Sequence, residues 1–336
     1  MKKRFILFSL SLLLLACFSL LRVGASDNNS TPTASSLRAY APSSIDNFFD
    51  VTSSGDIFWV AGSDGVLIKV DKQNKLKEIK IDTHEDLLSV SFSDPDHGWV
   101  VGTNGLVLRT SDSGGNWARV DTGINLGKLN LSIVRTLSRE TVLIAGEKGT
   151  VIMSTDGGKT WSNLFIPEDV NLSNIDQIGS HLMACGEFGS LYILKNDKWN
   201  KFTVNKEMFK GDDWMNPEIV TGIYDLGREK LGIVGTSGNA YVFNLRSESI
   251  ESVKEVKIPL FSIAKSRDGY VVCGEFGKIF YSADFIGWKE AAKDVDLNIY
   301  IRSVRFLEGD LSRGLAVGGY GTIMTTNDGG GRWVRI

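Results

Sequence analysis

The chain has little of what chemistry and cross-linking usually draw on. In 336 residues it has three cysteines, three histidines and six prolines, and its formal net charge is only −3. So balanced a charge excludes the strongly basic footprint of a nucleic-acid-binding domain. His84, His97 and His181 do not stand at metal-ligand spacing from one another or from a cysteine, and each reads as a polar surface or turn residue. Glycine, in contrast, is abundant at 36 residues. Many glycines beside few prolines imply many tight turns between short strands. With 42% hydrophobic and 23% charged residues the composition is that of an ordinary folded domain and argues against disorder.

The first 25 residues read as an address. Met-Lys-Lys-Arg is followed by a nearly unbroken apolar run from Phe5 to Leu21, the basic and apolar regions of an export signal. Three fates fit it. Val23-Gly24-Ala25 suits cleavage after Ala25. Leu14-Leu15-Ala16-Cys17 resembles a lipobox that would make Cys17 a lipidated N-terminus. The run also approaches the lower limit for an uncleaved membrane anchor. All three carry the following chain across a membrane, to an exported, periplasmic or other extracytoplasmic location. Residues 26–44, rich in Ser, Asn, Thr and Pro, read as a flexible tether.

From residue 45 onward one phrase recurs: an apolar strand ending in Gly, two variable residues, a second Gly, and another apolar strand. The pairs are Gly62/Gly65, Gly102/Gly105, Gly146/Gly149, Gly186/Gly189, Gly235/Gly238, Gly274/Gly277 and Gly318/Gly321. Seven copies at a mean spacing of about 43 residues predict an all-β, seven-bladed propeller of four-stranded antiparallel blades over residues 45–336. The second Gly suits the positive φ at the end of a hairpin loop. The first is expected to permit close backbone packing. Cys185 and Cys273 fall at equivalent positions in non-adjacent blades, too far apart for a disulfide, and are expected to be free core thiols. The first blade supplies its own four strands and the last ends with Trp333 to Ile336, so the usual strand exchange between them is not obvious, and the sequence leaves open how the ring closes. A segment near Leu37 to Tyr40 is the candidate to add to the last blade.

Three blades also carry Ser/Thr-x-Asp-x-Gly-x-x-Trp between the third and fourth strands: Thr110 to Trp117 with Asp112, Ser154 to Trp161 with Asp156, and Thr326 to Trp333 with Asp328. A degenerate fourth has Ser282, Asp284 and Trp288. The Asp accepts backbone N–H bonds across the turn, the Gly supplies turn geometry, and the Trp folds over as an apolar lid. These repeats resemble the Asp-boxes of the bacterial neuraminidase repeat. With the export signal, the seven units and second strands such as Gly98-Trp-Val-Val-Gly102, they resemble the photosystem II assembly and stability factor family of propellers. That resemblance implies a non-enzymatic scaffold, needing no cofactor, that binds a protein partner and helps a membrane-associated complex assemble. It also implies a basic patch. Arg135, Arg302 and Arg305 lie in predicted inner strands, but no dense arginine cluster stands out in the sequence.

The alternative is an exported glycan-binding or sialidase-like propeller, since sialidases share the box. The Arg-Ile-Pro that opens many of them is absent, and Asp176 and Asp225 are the conceivable carboxylate pair at the tunnel. Gly-x-x-Gly joins two strands with no helix following, so it is no phosphate loop. For a protein partner, the hairpin tips Phe188, Phe276 and Tyr320 are the candidate contacts. They are joined by Phe209 and Trp214 in an insertion at 205–218. Deleting residues 206–216 is expected to leave the melting temperature nearly unchanged and to abolish partner capture. Loss of folding, or undiminished capture, would exclude this docking loop.

Overall fold

A computed structural model describes residues 37–204 and 218–336. The leader with Cys17, and Phe209 and Trp214 of the insertion, lie outside the described residues. Seven antiparallel sheets follow one another along the chain, each built of four consecutive strands in sequence order. Their innermost strands touch in a closed ring, first to second and so on, with the seventh (Ile301–Leu307) against the first (Phe48–Ser54). The fold is a seven-bladed β-propeller. Among the described residues there is no α-helix.

Seven apolar clusters hold the blades together, one for each interface between neighbours. The interface that closes the ring packs Phe48, Val51 and Phe58 of blade 1 on Leu307, Leu315 and Val317 of blade 7. Cys185 and Cys273 sit in two different clusters as buried free thiols, and burial pushes both thiols up, Cys185 to about 12.

The hairpin glycines have separate tasks. In all seven blades the N–H after the first Gly donates to the carbonyl just before, or at the entry to, that blade's innermost strand, at 2.9–3.2 Å; Thr103 N to Asp86 O is one example. A Cβ on the first Gly would stand only 2.0–2.8 Å from that same carbonyl oxygen, so no side chain fits. The second Gly has positive φ in every blade, between 60° and 81°. In six blades its N–H crosses to the connection entering the next blade: Gly65 to Glu85, Gly105 to Leu129, Gly149 to Val170, Gly189 to Glu218, Gly277 to Ile299 and Gly321 to Asp46. The last of these joins blade 7 to blade 1. The ring therefore closes by the bond that links its other blades, with no strand exchanged.

Asp50 reinforces the junction. Its carboxylate accepts from Ser303 Oγ of blade 7 at 3.0 Å, Ser89 Oγ of blade 2 at 2.7 Å, and the backbone N–H groups of Val51 and Val90.

The N-terminal segment departs from expectation. Leu37–Ala39 pairs antiparallel with Leu76–Lys80, the outer strand of the first blade and not of the last. The last blade's outer strand, Arg332–Arg335, is instead covered in parallel by Ala292–Lys293. Both additions satisfy an exposed strand edge through backbone bonds, so side-chain pattern does not distinguish the two edges.

Gly318→Ala is expected to destabilise the chain by about 1–3 kcal/mol through overpacking, because its Cβ would meet Tyr300 O at 2.0 Å. Gly309→Ala, with open space around it, is expected to be near neutral. Urea denaturation of the two variants checks the contrast.

Candidate functional site: the hairpin face and the central channel

The hairpins and the blade-to-blade connections share one face. In six blades the turn between the paired glycines places two successive residues at positive φ, the geometry of a type I′ turn, for which Asn-Gly is the favoured pair; in blade 5 only Gly238 has positive φ. Blade 2 uses that pair, with Asn104 at φ 53° and Gly105 at φ 68°. Blades 4, 6 and 7 put Phe188, Phe276 and Tyr320 at the Asn position, with φ of 59°, 56° and 53°. A bulky residue there is strained by roughly 1–2 kcal/mol. The strain secures no burial: Phe188, Phe276 and Tyr320 remain 45%, 52% and 59% exposed. Beside Tyr320, the connection at 43–46 lies on the blade 7 hairpin and carries Ile45, 83% exposed. The aromatic tips thus occupy one side of the face. Blades 1 to 3 present Asp64, Asn104 and Lys148 at the same position.

Inside this rim a cavity of about 320 Å³ occupies the ring's axis. Its lining follows from a repeated irregularity. In six blades the pairing of the innermost strand with the second skips one residue: Phe49, Leu88, Ser173, Thr221, Phe261 and Arg302. Such bulges re-aim a side chain, and all six line the cavity. On the innermost strands the lining also includes Asp176, Tyr224 and Arg305, and Arg135 of blade 3, whose strand has no bulge. The three arginines that looked scattered in sequence are thereby gathered into one channel. Arg135 Nε lies 3.9 Å from Asp176, and Arg302 stacks over the Phe261 ring at 5.5 Å. Burial holds Arg302 and Arg305 below the ordinary arginine value, and for Arg305 the charge of Arg135 adds to the effect.

The carboxylate pair conceived from sequence does not assemble in the channel. Asp176 lines it, but Asp225 is exposed at a strand end and accepts from Gly227 N at 2.7 Å. Two other carboxyls are raised by burial, Asp86 and Glu218. They stand on blades 2 and 5, tied by Asp64 N at 2.9 Å and Ser237 N at 3.1 Å respectively.

The Asp-boxes lie between third and fourth strands and fasten neighbouring blades. Asp156 accepts from Lys159 N, Thr160 N, Thr160 Oγ1 and Ser154 Oγ at 2.6–3.0 Å. Asp112 accepts from Asn116 N, Asn116 Nδ2 and Thr110 Oγ1, while Asp328 accepts from Gly330, Gly331 and Arg332 N and from Thr326 Oγ1. Trp333 is fully buried, Trp117 nearly so, and Trp161 partly. The box glycines face the preceding blade: a Cβ on Gly114 would strike Trp59 at 2.3 Å, and one on Gly158 would strike Trp99 at 2.2 Å. Lys69 and Arg109 lie over those same indoles and donate across to the box carbonyls of Ser113 and Gly157. In the degenerate box the fit is reversed. Phe285 fills the space and Gly232 of the preceding blade leaves room for it.

Fold and repeat together define an Asp-box β-propeller. The family model described as photosynthesis system II assembly factor YCF48 matches residues 68–200. The photosystem II assembly lipoprotein Ycf48 of Synechococcus sp. (strain CC9902) is 36% identical over 92 residues, 27% of each chain. A protein of the same name from Prochlorococcus marinus (strain SARG) is 31% identical over 137 residues, 28% of this chain and 40% of that protein. The chain thus covers less than half the length of either relative. Among solved structures, YCF48 bound to D1 peptide superposes with a TM-score of 0.67 at 17% identity, over 91% of this chain and 99% of that one. YCF48 from Cyanidioschyzon merolae gives 0.68 at 16%, over 88% and 99%. The chain is thus similar over residues 68–200 to photosystem II assembly factors, and it shares the propeller fold of the solved YCF48 structures.

The box carboxyls give a pH signature. Hydrogen bonds, first that from the Thr160 hydroxyl, hold Asp156 at about 2, below the ordinary 3.8. A carboxyl depressed by folding contributes stability above its unfolded value and loses it as pH falls through the folded one. Asp156→Asn is therefore expected to melt lower than the wild type at neutral pH, with a gap that narrows between pH 4 and pH 2. A gap that stays constant in thermal melts across that range would contradict this.

Proposed function

We propose that the chain is an exported, non-enzymatic assembly factor that binds a polypeptide segment of a membrane-associated complex on its hairpin face, without a cofactor. The aromatic tips carry the reading. Blade 2 makes the same turn with Asn104, so the fold does not require a strained, half-exposed aromatic there. Large aromatics with apolar area open to solvent are the usual anchors of protein interfaces. Phe209 and Trp214 are proposed to extend the surface. The similarity to Ycf48 proteins, one of them solved with a D1 peptide and others named as lipoproteins, supports a photosystem II-type partner and export with Cys17 as lipid anchor.

The test is fluorescence anisotropy with a labelled D1 peptide, on the wild type and on Phe188→Asn/Phe276→Asn/Tyr320→Asn. This variant copies blade 2 and relieves backbone strain, so its melting temperature is expected to match or exceed that of the wild type. Its affinity is expected to fall roughly tenfold or more, as for loss of a hot spot. No binding by the wild type would contradict the photosystem II reading, and equal binding by the folded variant would contradict the surface.

A further inference from the structure

One hairpin position is structural in blades 1 to 5 and has lost that task in blade 6. It is the residue after the first hairpin glycine. Its N–H donates to the carbonyl at the entry to the innermost strand. In blades 1 to 5 its side chain also accepts the N–H of that same entry residue: Ser63, Thr103, Glu147, Glu187 and Thr236 do so at 2.8–3.2 Å. Blade 7 has Gly319 there, and the Tyr300 ring lies against it. Blade 6 has Glu275, but its innermost strand is entered through Pro259, which has no N–H to give. The Glu275 carboxylate is half-buried at the mouth of the cavity and makes no side-chain hydrogen bond or ion pair among the described residues. Cations close by are engaged elsewhere. Lys278, in the same hairpin, binds Glu290 at 2.7 Å, and Arg302 lies over the Phe261 ring at 5.5 Å.

Charge and shape around Glu275 define an occupant. The cavity lining has five carboxylates against three arginines, so the field at its mouth attracts a cation. The next residue, Phe276, is the aromatic tip of the same hairpin and is half-exposed. A lysine or arginine lays its methylene stem on an aromatic surface and brings its charged head to a carboxylate. Blade 4 carries the same Glu-Phe pair, but there Glu187 accepts from Asn171 N at 2.8 Å. We propose that the polypeptide bound on the hairpin face places one lysine or arginine side chain on Glu275, its stem against Phe276, with flanking apolar residues on the other aromatic tips. The proposal rests on the hairpin face being the polypeptide-binding surface, and adds the charge and the position of one partner residue.

A phage-displayed library of random linear peptides, selected on the immobilised full chain, tests it. The targets are the wild type, Glu275→Gln, Glu275→Lys and Phe188→Asn/Phe276→Asn/Tyr320→Asn. The wild type is expected to enrich peptides with a lysine or arginine beside apolar residues. Glu275→Gln is expected to lose the preference for the basic residue, and Glu275→Lys to exchange it for an acidic one. In fluorescence anisotropy with the best wild-type peptide, replacing its basic residue by norleucine is expected to weaken binding to the wild type roughly tenfold or more, and to change little on Glu275→Gln. Glu275→Gln is expected to melt as the wild type does, because no bond within the protein is removed. Enriched peptides that lack a basic residue, or that Glu275→Gln binds equally well, would overturn the proposal; if the triple variant loses those peptides, the hairpin face still stands as the binding surface. Peptides bound equally by the folded triple variant would overturn the surface and the proposal together, as would the absence of any enriched peptide on the wild type.

Discussion

The propeller depends on one carbonyl per blade, at the entry to the innermost strand. It accepts the N–H that follows the first hairpin glycine, and the approach is so close that no side chain can occupy that glycine. The second glycine then hands its own N–H to the connection entering the next blade in six of the seven cases. Each such bond contributes only about 1 kcal/mol net. Repeated around a ring and backed by an apolar interface at every step, they set the angle between blades and the point of closure. Gly321 and Asp46 close the circle on the same terms as the other junctions, and the Asp50 carboxylate fastens blades 7, 1 and 2 beneath them.

This division of labour frees two positions in most blades. The residue before the second glycine must accept positive φ but makes none of these backbone contacts, so it can vary from Asn104 to Phe276 without altering the ring. The residue skipped by the bulge points into the channel and can vary from Ser173 to Arg302. Tip and bulge lie at the outer and inner edges of one face. A scaffold of this kind can change what it binds by substitution at these sites, while the glycines and entry carbonyls stay as they are.

Much of this was legible in the sequence because it repeats. Seven glycine pairs in register announced the blade count, and the Asp-boxes announced the turns they occupy. The first glycine was readable as a place of close backbone packing, but not what packs there, because its partner is a carbonyl some 16 residues upstream in another element, as with Gly102 and Asp86. The gathering of Arg135 with Arg302 and Arg305 was hidden by some 170 residues of intervening chain, and by bulges whose phase the apolar pattern does not reveal. The degenerate box at Asp284 looked like decay. Its compensation, Gly232 for Phe285, lies on a different blade. The segment at Leu37 was assigned to the last blade when it joins the first, because strand edges are joined by backbone groups that every residue carries.

Native-state hydrogen exchange of the hairpin glycines, read by mass spectrometry or by NMR of the labelled chain, tests the central claim most directly, because amide protection reports the free energy of the opening that breaks each bond. If one repeated bond closes the ring, the Gly321 amide is protected to the same degree as those of Gly105 and Gly149, and all three exchange only when the whole propeller opens. Exchange at Gly321 that is orders of magnitude faster than at the other two would show that blades 7 and 1 part independently, and would contradict the account.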